Sequence, residues 1–365
     1  MRSKMKIIYL VLLCLPCLSA SKIIAQSKFQ DSTKGLKEYY ADFFTMGVAV
    51  SPNALKGPEA ALILKHFSSI TAENAMKMGP IHPQENQYNW GPSDEIVNFA
   101  QANRMKIRGH TLCWHNQTPD WLFKDIVGNP VTKEVLLKRL KAHITSVVTR
   151  YKGKIYAWDV INEAIDDDST KFMRSTPWYD ICGEEFIAKA FEYAHEADPS
   201  ALLFYNDYNT EKPTKRHNIY QLLKKLIDAK VPVHGVGLQG HWSLNQPTEK
   251  ELRNSIEKFS SLGLKIQITE LDVSVYHSEH ARREKKANES DAFTSEMETK
   301  QREQYKMIFR VFRDLKDNIS GVTFWNVSDK QSWLDGYPVR GRKNYPLLFD
   351  QSLKPKRVYW EVVEF

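Results

Sequence analysis

Three observations predict that this 365-residue chain is an α/β protein built as a single (β/α)8 barrel. From Phe43 onward, short apolar runs alternate with amphipathic segments, and no Pro/Gly/Ser-rich linker interrupts them. Eight of these runs read as strands, and eight βα units typically occupy about 250 residues, or more with insertions. No glycine-rich phosphate loop follows the first run, which disfavours the alternative, an open doubly wound sheet.

In chain order, residues 1–25 read as a targeting segment: Arg2, Lys4 and Lys6 form a basic start, and Ile7 to Leu18 an apolar run too short to span a bilayer. Cleavage after Ala20 or Ala25 leaves a mature domain running to Phe365, secreted or periplasmic, with no transmembrane segment. Lipid attachment at Cys14 or Cys17 would instead give an outer-membrane lipoprotein, but the Leu-Leu and Leu-Pro pairs before them fit that signal poorly. Losing Arg2, Lys4, Lys6 and Lys22, and no acid, lowers the formal charge from +7 to +3, which is no footprint for nucleic acid. Cys113 and Cys182 sit in different predicted elements and are expected as separate thiols.

The predicted strands are Phe43 to Val50, Ser69 to Ala72, Lys106 to Leu112, Ile155 to Ile161, Ala201 to Tyr205, Gly235 to Leu238, Lys265 to Thr269 and Gly321 to Trp325. Among the helices, Glu134 to Tyr151 places Val135, Leu136, Leu140, Ile144, Val147, Val148 and Tyr151 on one face. Thr248 and Glu251 form a capping-box pattern opening another helix. The charge-dense stretch His277 to Lys300 reads as a solvated loop running into a last long helix, Glu296 to Leu315.

A parallel barrel gathers its chemistry at the carboxyl ends of its strands. The second strand runs into Glu73, Asn74 and Lys77, and the third into His110, Trp114, His115 and Gln117. The fourth delivers Asn162 and Glu163, the fifth Asn206 and Tyr208, and the sixth Gln239 and His241. The seventh delivers Glu270 and Asp272, and the eighth Trp325, Asp329 and Trp333. Glu163 and Glu270 thus lie on opposite sides of the mouth, the arrangement that glycoside hydrolysis requires of an acid and a second carboxylate. Amides such as Asn162 and Gln239 hold sugar hydroxyls without adding charge, and exposed Trp offers flat faces to sugar rings. His110, His115 and His241 near Cys113 raise the question of a metal site, but their spacing implies hydrogen bonding, and no metal or cofactor is expected. Asp329, bracketed by aromatics, reads as holding its loop rather than as catalytic.

These residues resemble the family-10 glycoside hydrolases, the endo-1,4-β-xylanases, from about Phe43 to the carboxyl end. The motifs TAENAMK, HTLCWH, WDVINEA, QGHW, ITELDV and FWNVSDKQSW stand in family order. The resemblance implies that Glu163 is the general acid/base and Glu270 the nucleophile of a retaining reaction on xylan and xylo-oligosaccharides. It implies that Asn162 bonds the sugar 2-hydroxyl and that His241, between Glu270 and Asp272, keeps the nucleophile ionised. Glu73, Asn74, Lys77, His110, Trp114, Gln117, Gln239, Trp325 and Trp333 would line the glycone side, with Asn206 and Tyr208 on the leaving-group side. Two positions depart from the family pattern: Cys113 replaces a larger aliphatic residue, and Asn326 replaces Gly. The competing readings are a β-1,4-glucanase or mixed xylanase/cellobiohydrolase on the same scaffold and, from another class, a protein that only binds or senses xylan. The presence of both carboxylates disfavours the last.

Overall fold

The computed structural model describes residues 34–277, 279 and 282–365. The expected targeting segment, with Cys14 and Cys17, lies outside the described residues. Eight units follow one another in the chain. They are β1 (Thr45–Val50) with α1 (Glu59–His66), β2 (Ser69–Ala72) with α2 (Gly91–Ala102), β3 (Lys106–Cys113) with α3 (Lys133–Arg150), and β4 (Ala157–Asn162) with α4 (Glu185–Ala197). The second half repeats the pattern with β5 (Leu202–Asp207) and α5 (Pro213–Asp228), β6 (Gly235–Leu238) and α6 (Glu249–Ser260), β7 (Lys265–Ser274) and α7 (Ser295–Asp314), and β8 (Ile319–Phe324) and α8 (Arg357–Val363). Each strand pairs in parallel with its neighbours, and β8 pairs with both β7 and β1, which closes the barrel.

Parallel strands covered on both faces must be apolar nearly throughout, and β2, β4 and β6 are buried at every residue. The helices bury one stripe each. Thr132 caps α3 by accepting from the Val135 amide, and Leu136, Leu140, His143, Ile144, Val147 and Val148 face inward. Val135 does not join them: it lies in the first turn and stays exposed. The capping box at α6 forms, Thr248 accepting from the Glu251 amide while the Glu251 carboxylate accepts from the Thr248 amide. Cys113 and Cys182 are free thiols, both buried.

Two expectations need correcting. The seventh strand does not stop at Thr269 but runs on to Ser274, because His241–Ser243 supplies a further parallel partner. The stretch after His277 is not simply a solvated loop. Arg283–Glu284 pairs with Val339–Arg340, and Arg283 and Arg342 each bond both Glu279 and Glu289. Its charges therefore tie the loop after β7 to the loop after β8.

Inside the barrel the strands carry a charged layer. Arg108 of β3 makes a two-pronged contact with Asp159 of β4 and donates to Gln267 of β7 at 2.6 Å, and His110 Nδ1 lies 3.0 Å from Asp159 Oδ2. Arg108 and Asp159 are each 1% exposed, so neither charge has water as an alternative partner. Removing one member of such a pair costs more than the pair contributes, because the other charge stays buried alone. Arg108→Met is therefore expected to lower stability by about 3–5 kcal/mol in denaturant unfolding. Combining it with Asp159→Leu should recover much of that loss, and equal losses in the single and double variants would contradict this account.

Candidate active site

At the carboxyl end of β4 the chain turns sharply. Glu163 has φ +60°, a left-handed conformation that a residue with a side chain adopts only when its surroundings hold it. Its amide donates to Asn206 O at 2.9 Å, extending the β4–β5 ladder by one bond before the turn. The carboxylate then collects neutral donors: Trp114 Nε1 at 2.9 Å on Oε2, and Gln239 Nε2 at 2.9 Å with Asn162 Nδ2 at 3.2 Å on Oε1. His115 Nε2 stands 3.9 Å from Oε2. Burial, helped by the charges of Arg174 and Lys215, holds the His115 imidazole down at about 4, so it too is neutral near pH 7.

Glu270 meets a different environment. Residues two apart on a strand share a face, so Glu270 and Asp272 both project beside His241, which lies opposite Asp272 in register. His241 Nε2 is 3.2 Å from Glu270 Oε2 and its Nδ1 is 3.0 Å from Asp272 Oδ2. Burial opposes a charge on His241, but Asp272 and then Glu270 outweigh it and push the imidazole up to about 10. Burial likewise works against ionisation of Glu270. The attraction of His110, the bond and charge of His241, and Lys77 overcome it, and the carboxyl falls to about 2.

An amide chain links the two carboxylates. Asn206 Nδ2 donates to Glu270 Oε1 and to Asn162 Oδ1, both at 2.8 Å, and Asn162 in turn donates to Glu163. Asn206 Oδ1 accepts from Thr269 at 2.7 Å, and Gly237 makes room for this amide, since a Cβ there would fall 2.2 Å from Asn206 Oδ1. Asn206, expected on the leaving-group side, is thus fully buried and committed to holding the carboxylates. Tyr208 stays half-buried, its hydroxyl donating to Asp167 and accepting from Arg174.

The other expected groups form one wall. The Lys77 ammonium lies 5.0 Å from the Trp114 ring and 5.8 Å from the Trp325 ring and donates to Asn74 Oδ1 at 3.0 Å. Gln117 approaches the same oxygen at 3.5 Å. Glu73 bonds Asn326, whose φ of +100° belongs to the region that favours glycine, which accounts for the glycine usual at that place in the resemblance. Trp333 donates from Nε1 to Asp272 Oδ2 at 2.8 Å, and its ring lies 4.8 Å from that of His241. Asp329 is buried, bonding the Leu347 amide and the Lys356 ammonium, which leaves it a loop-holding residue.

Sequence reasoning did not single out Thr269, Asp159, Arg174 or Lys215. A charged residue inside an apolar strand run is a readable signal for Asp159. The other three are placed by tertiary contacts alone.

The profile of glycosyl hydrolase family 10 matches residues 35–365. A β-1,4-xylanase of Dictyoglomus thermophilum is 51% identical over 330 residues, covering 90% of each chain. An endo-1,4-β-xylanase of Geobacillus stearothermophilus is 47% identical over 332 residues, 91% of this chain and 98% of the relative. The crystal structure of a xylanase from Paenibacillus barcinonensis, complexed with a conduramine derivative, superposes with a TM-score of 0.86 at 48% identity, over 90% of this chain and 98% of that one.

The support that His241 gives to Glu270 is directly measurable. His241→Asn removes a cation and a donor, so the Glu270 carboxyl should titrate at higher pH than in wild type, followed by 13C NMR of the glutamate side chains. A carboxyl that titrates as in wild type would show that His241 does not hold it ionised.

Proposed function

The chain belongs to glycosyl hydrolase family 10, and on that footing we propose that it is an endo-1,4-β-xylanase, with Glu270 the nucleophile and Glu163 the acid/base of its retaining double displacement. The observation that carries the assignment of roles is the division of charge: cations surround Glu270, whereas neutral donors surround Glu163. A nucleophile must be ionised before substrate arrives, and an acid must give up a proton and later take one back.

In the first step Glu270 attacks the anomeric carbon while Glu163 protonates the leaving oxygen. The covalent xylosyl-enzyme is then hydrolysed by water that Glu163, now a carboxylate, deprotonates. His241 and Lys77 stabilise Glu270 as the attacking anion and again as the leaving group of the second step. Trp325 and Trp333 wall the sugar at the cleavage point, and Glu73, Asn74, Lys77 and Gln117 hold the next sugar by hydrogen bonds. A polymer of this size does not cross a membrane unaided, which supports the reading of residues 1–25 as an export segment and a site of action outside the cytoplasm. Among the described residues no helix is long and apolar enough to cross a membrane.

Release of reducing sugar from xylan in preference to 1,4-β-glucan is the expected activity. Preference for the glucan would point to a glucanase, and release from neither to a binder. Glu270→Ala is expected to abolish turnover of every substrate. Glu163→Ala should lose about 10²–10⁴-fold on xylan but retain cleavage of aryl xylobiosides whose leaving groups need no proton. Equal responses of the two variants to leaving-group pKa would mean that the roles are misassigned.

A further inference from the structure

A second charged cluster sits behind Glu163, and it grips backbone rather than carboxylate. Arg174 donates from Nε to Glu163 O at 3.0 Å and from Nη2 to Ile165 O at 3.2 Å, while its own amide donates to Ala164 O at 2.8 Å. The same Nη2 reaches Asp167 Oδ2 at 3.0 Å and the Tyr208 hydroxyl at 2.9 Å. From Asp167 the contacts continue inward: Lys215 Nζ lies 2.9 Å from both Asp167 Oδ1 and Asp207 Oδ1, and Asp207 Oδ2 accepts from the Tyr205 hydroxyl at 2.5 Å. That hydroxyl accepts from the amides of Ala164 and Ile165, each at 3.2 Å. The ring therefore closes on the turn from both sides, holding the carbonyl of Glu163 at one end and the next two amides at the other. Asp207 and Tyr205 are fully buried and Lys215 is 4% exposed, so the inner half has protein alone for partners.

This clamp surrounds a residue in a left-handed conformation, whose backbone needs outside support. The planar, forked guanidinium bonds the two carbonyls and the Asp167 carboxylate in fixed directions, whereas an ammonium is a point charge on a shorter reach that fixes no such geometry.

We infer that Arg174 is a positioning residue for proton transfer, fixing the backbone of Glu163 so that its carboxyl meets the leaving oxygen and, in the second step, the attacking water. The inference rests on Glu163 being the acid/base. Misplacing a catalytic group by about 1 Å costs on the order of 100-fold, so the loss should fall only on steps that need Glu163.

The test compares Arg174→Met and Arg174→Lys with wild type and Glu163→Ala on a pair of aryl β-xylobiosides, one with a dinitrophenyl and one with an unactivated phenyl leaving group. For both Arg174 variants, kcat/KM on the unactivated substrate should fall, by about 100-fold for Met and less for Lys, while kcat/KM on the dinitrophenyl substrate stays within about twofold. On the dinitrophenyl substrate kcat and KM should fall together, because removal of the xylosyl group still needs the base. Equal loss on both substrates, or no loss on either, overturns the inference. Arg174→Lys keeps the charge and guards against a variant that merely fails to fold. If Glu163→Ala itself discriminates between the two substrates and the Arg174 variants do not, this inference fails alone. If Glu163→Ala does not discriminate, the acid/base assignment fails first.

Discussion

Glu270 is a buried carboxylate that stays ionised, although burial on its own would favour the neutral form. The site is arranged around that conflict. His110 comes from β3, Lys77 from the loop after β2, His241 from the end of β6 and the Asn206 amide from β5, so four separate strand ends converge on one side chain. A closed parallel barrel suits this task because every strand end arrives at the same rim from a different direction. The same geometry lets the opposite rim differ: Glu163, one strand end away from Asn206, receives an indole and two amides instead of cations.

The layers beneath and beside Glu270 extend the support. His110 is oriented by Asp159, which is itself locked to Arg108, so the charged layer inside the barrel doubles as the foundation of the site. His241 is fixed from its far side by Asp272, and Asp272 also accepts from the Trp333 indole. The Trp333 indole is therefore bonded, through two side chains, to the Glu270 carboxylate.

How much of this was legible follows from what each feature depends on. Strand runs such as Ser69–Ala72 and Gly235–Leu238 stood out because burial on both faces leaves no room for polar alternation, and the residues after each run marked the rim. Where a strand gained a partner unrelated to its own pattern, as β7 does beyond Thr269, the boundary was invisible. The charged stretch after His277 looked solvated because composition cannot say which charges meet; its ion pairs with Arg342 cross from one loop to another. Asn206 reads from the sequence as a rim residue on the leaving-group side, but whether an amide serves sugar or protein is settled by its neighbours, here Thr269, Asn162 and Glu270. The left-handed turn at Glu163 and the Arg174 clamp left no sequence signal, because Glu is not a residue that marks positive φ.

A double displacement through Glu270 requires a covalent bond between its carboxylate and the sugar. A 2-deoxy-2-fluoro-β-xylobioside with a dinitrophenyl leaving group separates the two steps: fluorine slows both transition states, and the activated leaving group rescues the first alone. Mass spectrometry of the inactivated protein should show one added fluoroxylobiosyl group, and peptide mapping should place it on Glu270. A label on any other residue, or hydrolysis without a trapped adduct, would contradict the double displacement through Glu270.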